Sequence, residues 1–310
     1  MKIVVAGGTG FLGSPLTGAW AEEGHDVRVL TRSLGSGESR HESGTGVPGI
    51  TRVGWTPDGR AGPWANTLSG VDAVINLAGA SLAEKRWTPQ RKAEIRDSRL
   101  LATRSLVAGI KATGAPPSVF LSMSGVGFYG ASGDEPRTEA SPAGSDFLAQ
   151  LCEDWEAEAR KVQRDSVRLV ILRTGTVLEP SGGALAQMMT PFRLFAGGPL
   201  GSGRQYMSWI HREDWVEMVR WIVQAPDASG VLNATAPHPV TNRQFARALG
   251  RALRRPALLP APSLALKLVV GEFAQYVLTG QRVFPERALA LGYHFRYPEL
   301  DMAFRGMFGG

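Results

Sequence analysis

Cysteine is almost absent from this chain, and of its 310 residues only Cys152 carries a thiol. An internal disulfide is excluded, and no second cysteine completes a zinc site or a CxxC redox pair, so no metal is expected. That usage fits a reducing, cytoplasmic setting. Long hydrophobic runs are lacking too. The most apolar helix-length stretch, SLALKLVVGEFAQYVLT at 263–279, is broken by Lys267 and Glu272 and is short for a bilayer span, so it reads as a core or interface helix and no membrane partner is expected. The opening MKIVVAGGTG has one lysine and a short apolar run before its glycines, which reads as a buried strand and not as a signal peptide. Internal repeats and low-complexity tracts are missing as well.

What is present is ordinary for a globular protein, with 43% hydrophobic and 20% charged residues and enough length for one large α/β domain or two lobes. The net charge is +6. Arg243, Arg247, Arg251 and Arg255 recur every fourth residue, along one face of a helix expected to start at Thr241 with Gln244 closing a capping box. No stacking aromatics are interleaved with them, so the face reads as solvated and no nucleic-acid partner is expected.

Apolar strand-like runs alternate with helix-length segments through the first two-thirds: KIVVAGG, HDVRVLTR, ITRVGW, DAVINLAG, SVFLSMSG and RLVILRTG, with helices expected near 11–23, 89–113 and 147–164. Continuous hydrophobic strands separated by helices predict an α/β fold, a doubly wound parallel sheet covered on both faces. Residues 33–49, rich in Gly, Ser and charge, read as a mobile loop. After Leu178, EPSGG leads into a helix and then the glycine-dense loop AGGPLGSGRQ; MSWIHREDWVEMVRWIVQAP reads as a strand followed by a helix starting near Asp214. Residues 1–178, joined by 207–235, are expected to form the main domain, and 179–206 with 236–310 a smaller substrate lobe.

In VVAGGTGFLG, Gly7, Gly10 and Gly13 directly follow a strand and open a helix. That spacing suits a phosphate cradle: the first glycine permits a tight turn, the second lets backbone approach a pyrophosphate, and the third lets helix and strand pack closely. Thr9, Phe11 and Leu12 complete the loop. A site preferring NAD(H) would carry an acidic residue at the end of the second strand, where this chain has Thr31 and Arg32. A guanidinium and a hydroxyl can bind a 2′-phosphate that a carboxylate would repel, so NADP(H) is the expected cofactor.

With GGTGFLG, NLAGASLAEKRW, SGVGFYG, DFLAQLCEDWE, LRTGTVL, GGPLGSGRQYMSWIH and ALALGYHFRYPEL in hand, the chain resembles the extended short-chain dehydrogenase/reductases, and within them an epimerase-like, YfcH-type branch with a small C-terminal lobe. The likeness implies a Rossmann-type fold. It implies that Asn76, Leu77, Ala78 and Gly79 line the adenosine and pyrophosphate side of the cofactor, that Arg99 lies near it in place of an asparagine, and that Thr176 and Val177 border the nicotinamide. Ser122 and Ser124 end the strand where the family carries its catalytic Ser or Thr.

The likeness breaks at FLAQLCEDWE. If Glu156 is the glutamate that follows the family's Tyr-x-x-x-Lys, the tyrosine falls on Leu148 and the lysine on Cys152. Leucine has no proton to give. Cys152 is open to two readings, a packed apolar thiol or a substitute acid, and Tyr129 is the nearest phenol to the serines in sequence. A second departure is Met207, where related sugar-nucleotide epimerases have an arginine for the diphosphate; Arg204 or His211 are the residues that could compensate. Two functions follow: an NADP(H)-dependent oxidoreductase or epimerase acting on a small apolar carbonyl or alcohol, with Met188, Met189 and Phe192 lining the pocket under the GGPLGSGRQ loop, or a non-catalytic NADP(H)-binding sensor. A homodimer is left open.

Overall fold

The computed structural model describes residues 1–33, 49–162 and 166–309, apart from the side chains of Val269 and Val270. The expected glycine- and serine-rich loop falls outside the described residues except at its two ends. The chain opens with strand β1 (Lys2–Ala6), helix α1 (Gly13–Glu22), β2 (Asp26–Thr31), β3 (Ile50–Gly54) and β4 (Ala73–Asn76). Helix α2 (Pro89–Ala112), β5 (Val119–Gly125), the short β6 (Pro136–Arg137), α3 (Phe147–Arg160), β7 (Arg168–Thr174) and β8 (Thr176–Leu178) follow. Then come α4 (Gly183–Arg193), β9 (Tyr206–Met207), β10 (Trp209–His211), α5 (Arg212–Gln224) and β11 (Gly230–Ala234).

Seven of these strands form one sheet in the order β11-β7-β5-β4-β1-β2-β3, and every neighbouring pair is parallel. The expected doubly wound sheet is therefore observed. Its apolar runs explain it: in β1, Ile3 and Val5 face one buried cluster while Val4 and Ala6 face another, so both sides of the strand need cover. Leu16 and Trp20 of α1 with Trp215, Val219 and Ile222 of α5 cover one face. Ala102, Leu106 and Ile110 of α2 cover the other. The chain lays β2 and β3 outward on one side of β1, then crosses to place β4 on the other. The crevice at the carboxyl ends of β1 and β4 is the switch point where open α/β sheets bind ligands.

The C-terminal part adds β12 (Val240–Thr241), α6 (Asn242–Leu253), α7 (Ser263–Val270), α8 (Ala274–Leu278), β13 (Arg282–Val283), α9 (Glu286–Ala290) and α10 (Leu300–Phe308). Leu185, Met189 and Phe192 of α4 pack with Phe245 and Leu249 of α6 and Phe304 of α10 into a separate core. Met189 and Phe192 thus serve this core, with Met188 packed against it, where the sequence suggested a pocket lining. Segment 263–279 is not one core helix: Gly271, at φ +64°, separates α7 from a 3-10 turn at Gly271–Phe273 and α8, and Leu264 and Leu268 of α7 are 69% and 67% exposed.

Two helix starts show how local chemistry sets boundaries. The capping box of α6 forms as expected, with Thr241 Oγ1 accepting from the Gln244 amide at 3.3 Å and Gln244 Oε1 accepting from the Thr241 amide at 2.8 Å. Helix α6 ends at Leu253, so Arg255 lies beyond it, and Arg251 is paired with Asp301 of α10. Helix α5 starts two residues before Asp214 because buried His211 caps it, Nδ1 accepting from the Glu213 amide at 3.1 Å while the ring stacks on Tyr297 at 4.0 Å.

Burial pushes the His211 imidazole below its ordinary value of 6.5; Arg212 and Arg296 add to the effect, and Glu213 and Glu179 oppose it. A folded-state pKa below the unfolded one means that the unfolded chain binds the proton first, so the cap's contribution is present above about 6.5 and is lost as pH falls below it. Between neutral pH and pH 5 the melting temperature should drop less in His211→Asn, which keeps a capping acceptor of about 1 kcal/mol, than in the native chain. Equal drops in both would remove His211 from the account.

Candidate functional site

The turn after β1 is held by backbone alone. Gly7 has φ +79°, and a Cβ there would stand 2.8 Å from the carbonyl carbon of Leu77, in the loop after β4. The Gly10 amide donates to the Gly7 oxygen at 3.0 Å, and a Cβ on Gly13 would overlap that same oxygen. The glycines therefore let two loops and the start of α1 share a space that side chains would fill. No side chain caps α1 and no acid stands in its first turn; the Ser14 amide is taken by the Gly10 carbonyl at 2.9 Å and Pro15 has no N–H, so an anion would meet the amides ahead of them, at Leu12 and Gly13. Thr9, Gly10 and Phe11 are exposed and Leu12 half-buried around this opening. The Phe11 ring lies against the backbone of Gly182 and Gly183 at the start of α4.

At the end of β2, Thr31 Oγ1 donates to the Ser33 carbonyl at 3.0 Å, turning the chain, and Arg32 projects into solvent. Among the described residues that close this strand, Thr31, Arg32 and Ser33, none is a carboxylate.

Across the crevice, Asn76 is fully buried; its Nδ2 donates to Thr103 Oγ1 at 2.9 Å and to Ser122 Oγ at 3.5 Å, and its Oδ1 accepts from the Ala78 amide at 3.3 Å. It shapes the loop from below. Leu77 and Ala78 are half-buried and Gly79 exposed. A Cβ on Gly79 would stand 3.1 Å from Cζ of Arg99, whose Nη1 holds the Ala80 and Ile95 carbonyls at 3.0 Å each. Burial pushes the Arg99 guanidinium down to about 10, so it stays charged at neutral pH.

Ser124, Tyr129 and Cys152 are brought together, in a buried polar network. The Ser124 hydroxyl donates to Glu156 Oε1 at 2.8 Å. Arg173 of β7 grips the same carboxylate in a fork, Nε to Oε1 at 2.8 Å and Nη2 to Oε2 at 2.9 Å, and Arg160 adds a bond to Oε2 at 2.9 Å. Arg173 Nη1 donates to the Tyr129 hydroxyl at 3.1 Å, which donates in turn to Asn233 Oδ1 at 2.7 Å. The guanidinium also lies 3.3 Å from the centre of the Phe128 ring. Burial pushes the Tyr129 phenol up. Cys152, 5% exposed, directs its thiol at the Gly125 carbonyl, and burial with the nearby Glu156 carboxylate pushes it up to about 11. At neutral pH it is a thiol and not a thiolate. Leu148 is half-buried, against Gly127.

Arg173 and Asn233 are the members that the sequence reading passed over. An arginine inside RLVILRTG, a run otherwise apolar enough for a central strand, was the available signal, since a buried guanidinium requires a buried carboxylate. Nearby, the Thr176 amide donates to the Ser208 carbonyl at 2.8 Å, and Val177, 8% exposed, joins the core beneath. Met207 packs in the C-terminal core, where its sulfur accepts from Asn242 Nδ2 at 3.3 Å. Arg204 is exposed and His211 is engaged as a cap.

The NAD dependent epimerase/dehydratase family matches residues 3–234, the whole sheet with its crevice. The chain belongs to that family. A domain of unknown function, DUF1731, matches residues 261–307. The chain is similar to the chloroplastic SDR39U1 homolog of Arabidopsis thaliana, 41% identical over 99% of this chain and 86% of that one. It is 38% identical to the human epimerase family protein SDR39U1 over 98% of this chain and 99% of that one. The human protein's crystal structure with NADPH superimposes with a TM-score of 0.88, at 37% identity and 99% coverage of both chains. The epimerase-family likeness read from the motifs, with its C-terminal lobe, therefore holds. Among the described residues no helix is long and apolar enough to cross a membrane.

Replacing Glu156 by Leu strands the buried Arg173 charge and should cost about 3–5 kcal/mol in denaturant unfolding. A loss below about 1 kcal/mol would contradict the network. In the native fold, Cys152 should react with a thiol reagent at neutral pH far more slowly than in the unfolded chain, and equal rates would show that its burial is wrong.

Proposed function

We propose that this family member binds NADP(H) in the crevice between the β1 and β4 loops and acts as an oxidoreductase or epimerase of the extended short-chain dehydrogenase type on a small, apolar carbonyl or alcohol. The observation that carries the reading is the side-chain-free opening at Gly7–Gly13, with Arg32 and no carboxylate at the end of β2. The NADPH present in the human relative's crystal supports it.

The residues fit the dinucleotide. The amides at the start of α1 would hold the pyrophosphate, Thr31 and Arg32 the 2′-phosphate, and Leu77–Gly79 the adenosine side, with Arg99 behind them and Thr176 and Val177 toward the nicotinamide. The cofactor supplies hydride chemistry when bound. On this reading 1–178 with 207–235 hold the dinucleotide, and 179–206 with 236–310 cover the substrate. Leu148 makes the wall where the family's tyrosine would stand apolar, which favours an apolar substrate. Met207, turned into the C-terminal core, leaves the diphosphate of a sugar nucleotide without a cation at that position.

A second reading, a non-catalytic NADP(H) sensor, is favoured by one observation: Ser124, Tyr129 and Cys152 are buried and each directs its proton at an internal acceptor. For the enzyme, the proton at the substrate oxygen would come from water or from Ser124 released from Glu156. A carbonyl panel assayed with NADPH separates the two. Turnover that Ser124→Ala reduces by about a hundredfold at unchanged NADPH affinity fits the enzyme; tight binding with no turnover across the panel fits the sensor. In either case Arg32→Ala should weaken NADPH binding about tenfold and leave NADH unchanged, and equal affinities of native and variant chains for NADPH would refute the 2′-phosphate role.

A further inference from the structure

The C-terminal lobe carries a surface that the cofactor crevice does not use. Leu194 and Phe195, just past α4, are 72% and 59% exposed; Leu258 and Leu259, after α6, are 80% and 58% exposed. The two loops are neighbours, since the Leu259 amide donates to the Gly197 carbonyl at 3.3 Å and the Arg255 guanidinium lies 4.5 Å from the centre of the Phe195 ring. Large apolar side chains clustered in the open are uncommon on a monomer and mark a contact.

The same place holds unpaired positive charge. A shallow hollow of about 410 Å³ is lined by Arg247, Arg251, Arg254 and Arg255, with Gly250, Ala257 and Leu258 between them. Arg251 is paired with Asp301 and Arg255 reaches the Arg254 carbonyl at 3.1 Å. The guanidinium groups of Arg247 and Arg254 pair with no described residue. Among the described residues, Phe195 and Arg254 are also the only non-glycines with positive φ, at +59° and +54°. Each conformation is unfavourable, and the pair stands on the two adjoining loops.

We propose that this face docks on an anionic phospholipid surface, with headgroup phosphates on the arginine rim and the Leu194, Phe195, Leu258 and Leu259 side chains in the acyl boundary. Unpaired guanidinium groups attract anions and clustered exposed leucines favour hydrocarbon, and a bilayer bearing anionic lipid offers both at one surface. Helix α7 follows directly in the chain, with Leu264 and Leu268 also exposed, one helical turn apart. A second copy of this chain fits less well, because a two-fold contact would set the arginine rims against each other.

The test is flotation of the purified full chain with vesicles of phosphatidylcholine alone and of phosphatidylcholine with about one-third phosphatidylglycerol. The expected result is at least about tenfold more protein on the anionic vesicles, reversed by high salt. Arg247→Glu with Arg254→Glu, and separately Leu194→Ser with Leu258→Ser, should each lower that binding about tenfold. All four residues are exposed, so an unchanged melting temperature shows that the variants are folded. No vesicle binding, equal binding to neutral vesicles, or binding unaltered in both variants would overturn the proposal. So would a dimer in solution that Leu194→Ser with Leu258→Ser dissolves, or binding to polyglutamate without binding to vesicles.

Discussion

The architecture depends on how closely backbone can approach backbone at the carboxyl end of β1. Gly7 lies against the Leu77 carbonyl, and Gly13 leaves room only for a hydrogen beside the Gly7 oxygen. These contacts bring the start of α1, which no side chain caps, to the sheet's switch point. An interaction through backbone tolerates almost any side chains around it, provided that nothing fills the gap. The proposed anion site would therefore follow from how the first βα unit packs and need no separate device.

On the proposed reading, a structural joint stands where the family's proton-transfer position is expected. Where a tyrosine and lysine are expected on α3, Leu148 and Cys152 face an apolar surface, and the polar atoms that remain bond one another. Glu156 accepts from Ser124, Arg160 and both arms of Arg173, and Arg173 joins it to Tyr129 and Asn233, tying α3, β5, β7 and β11 together. Buried ion pairs of this kind add little net stability against an apolar alternative but are costly to break, so they fix one arrangement of the elements. The same joint leaves the neighbouring hydroxyl and thiol with internal partners.

Features carried by short-range chemistry were legible in the sequence. Continuous apolar runs such as DAVINLAG required cover on both faces and became central strands, and the Thr241–Gln244 capping box formed as its spacing requires. The glycine turn was legible because three constraints fall within a few residues. Features that depend on partners far along the chain were not. Arg173 meets Glu156 from another element, and Asn233 comes from the last strand of the sheet. Met189 and Phe192 have the composition of a pocket wall, yet the lobe formed by α6 and α10 claims them for its core. The break at Gly271 was hidden for a related reason: apolar composition continues across it, while the backbone conformation that ends α7 appears only in three dimensions.

The most direct measurement is isothermal titration of the native chain, and of Gly13→Val as a control that fills the gap, with NADPH, NADP+, NADH and NAD+. The account predicts that the native chain binds the phosphorylated pair, at least about tenfold tighter than the other two, and that the control binds none. If neither phosphorylated form associates with the native chain, or if NADH binds as well as NADPH, the crevice is not the site described.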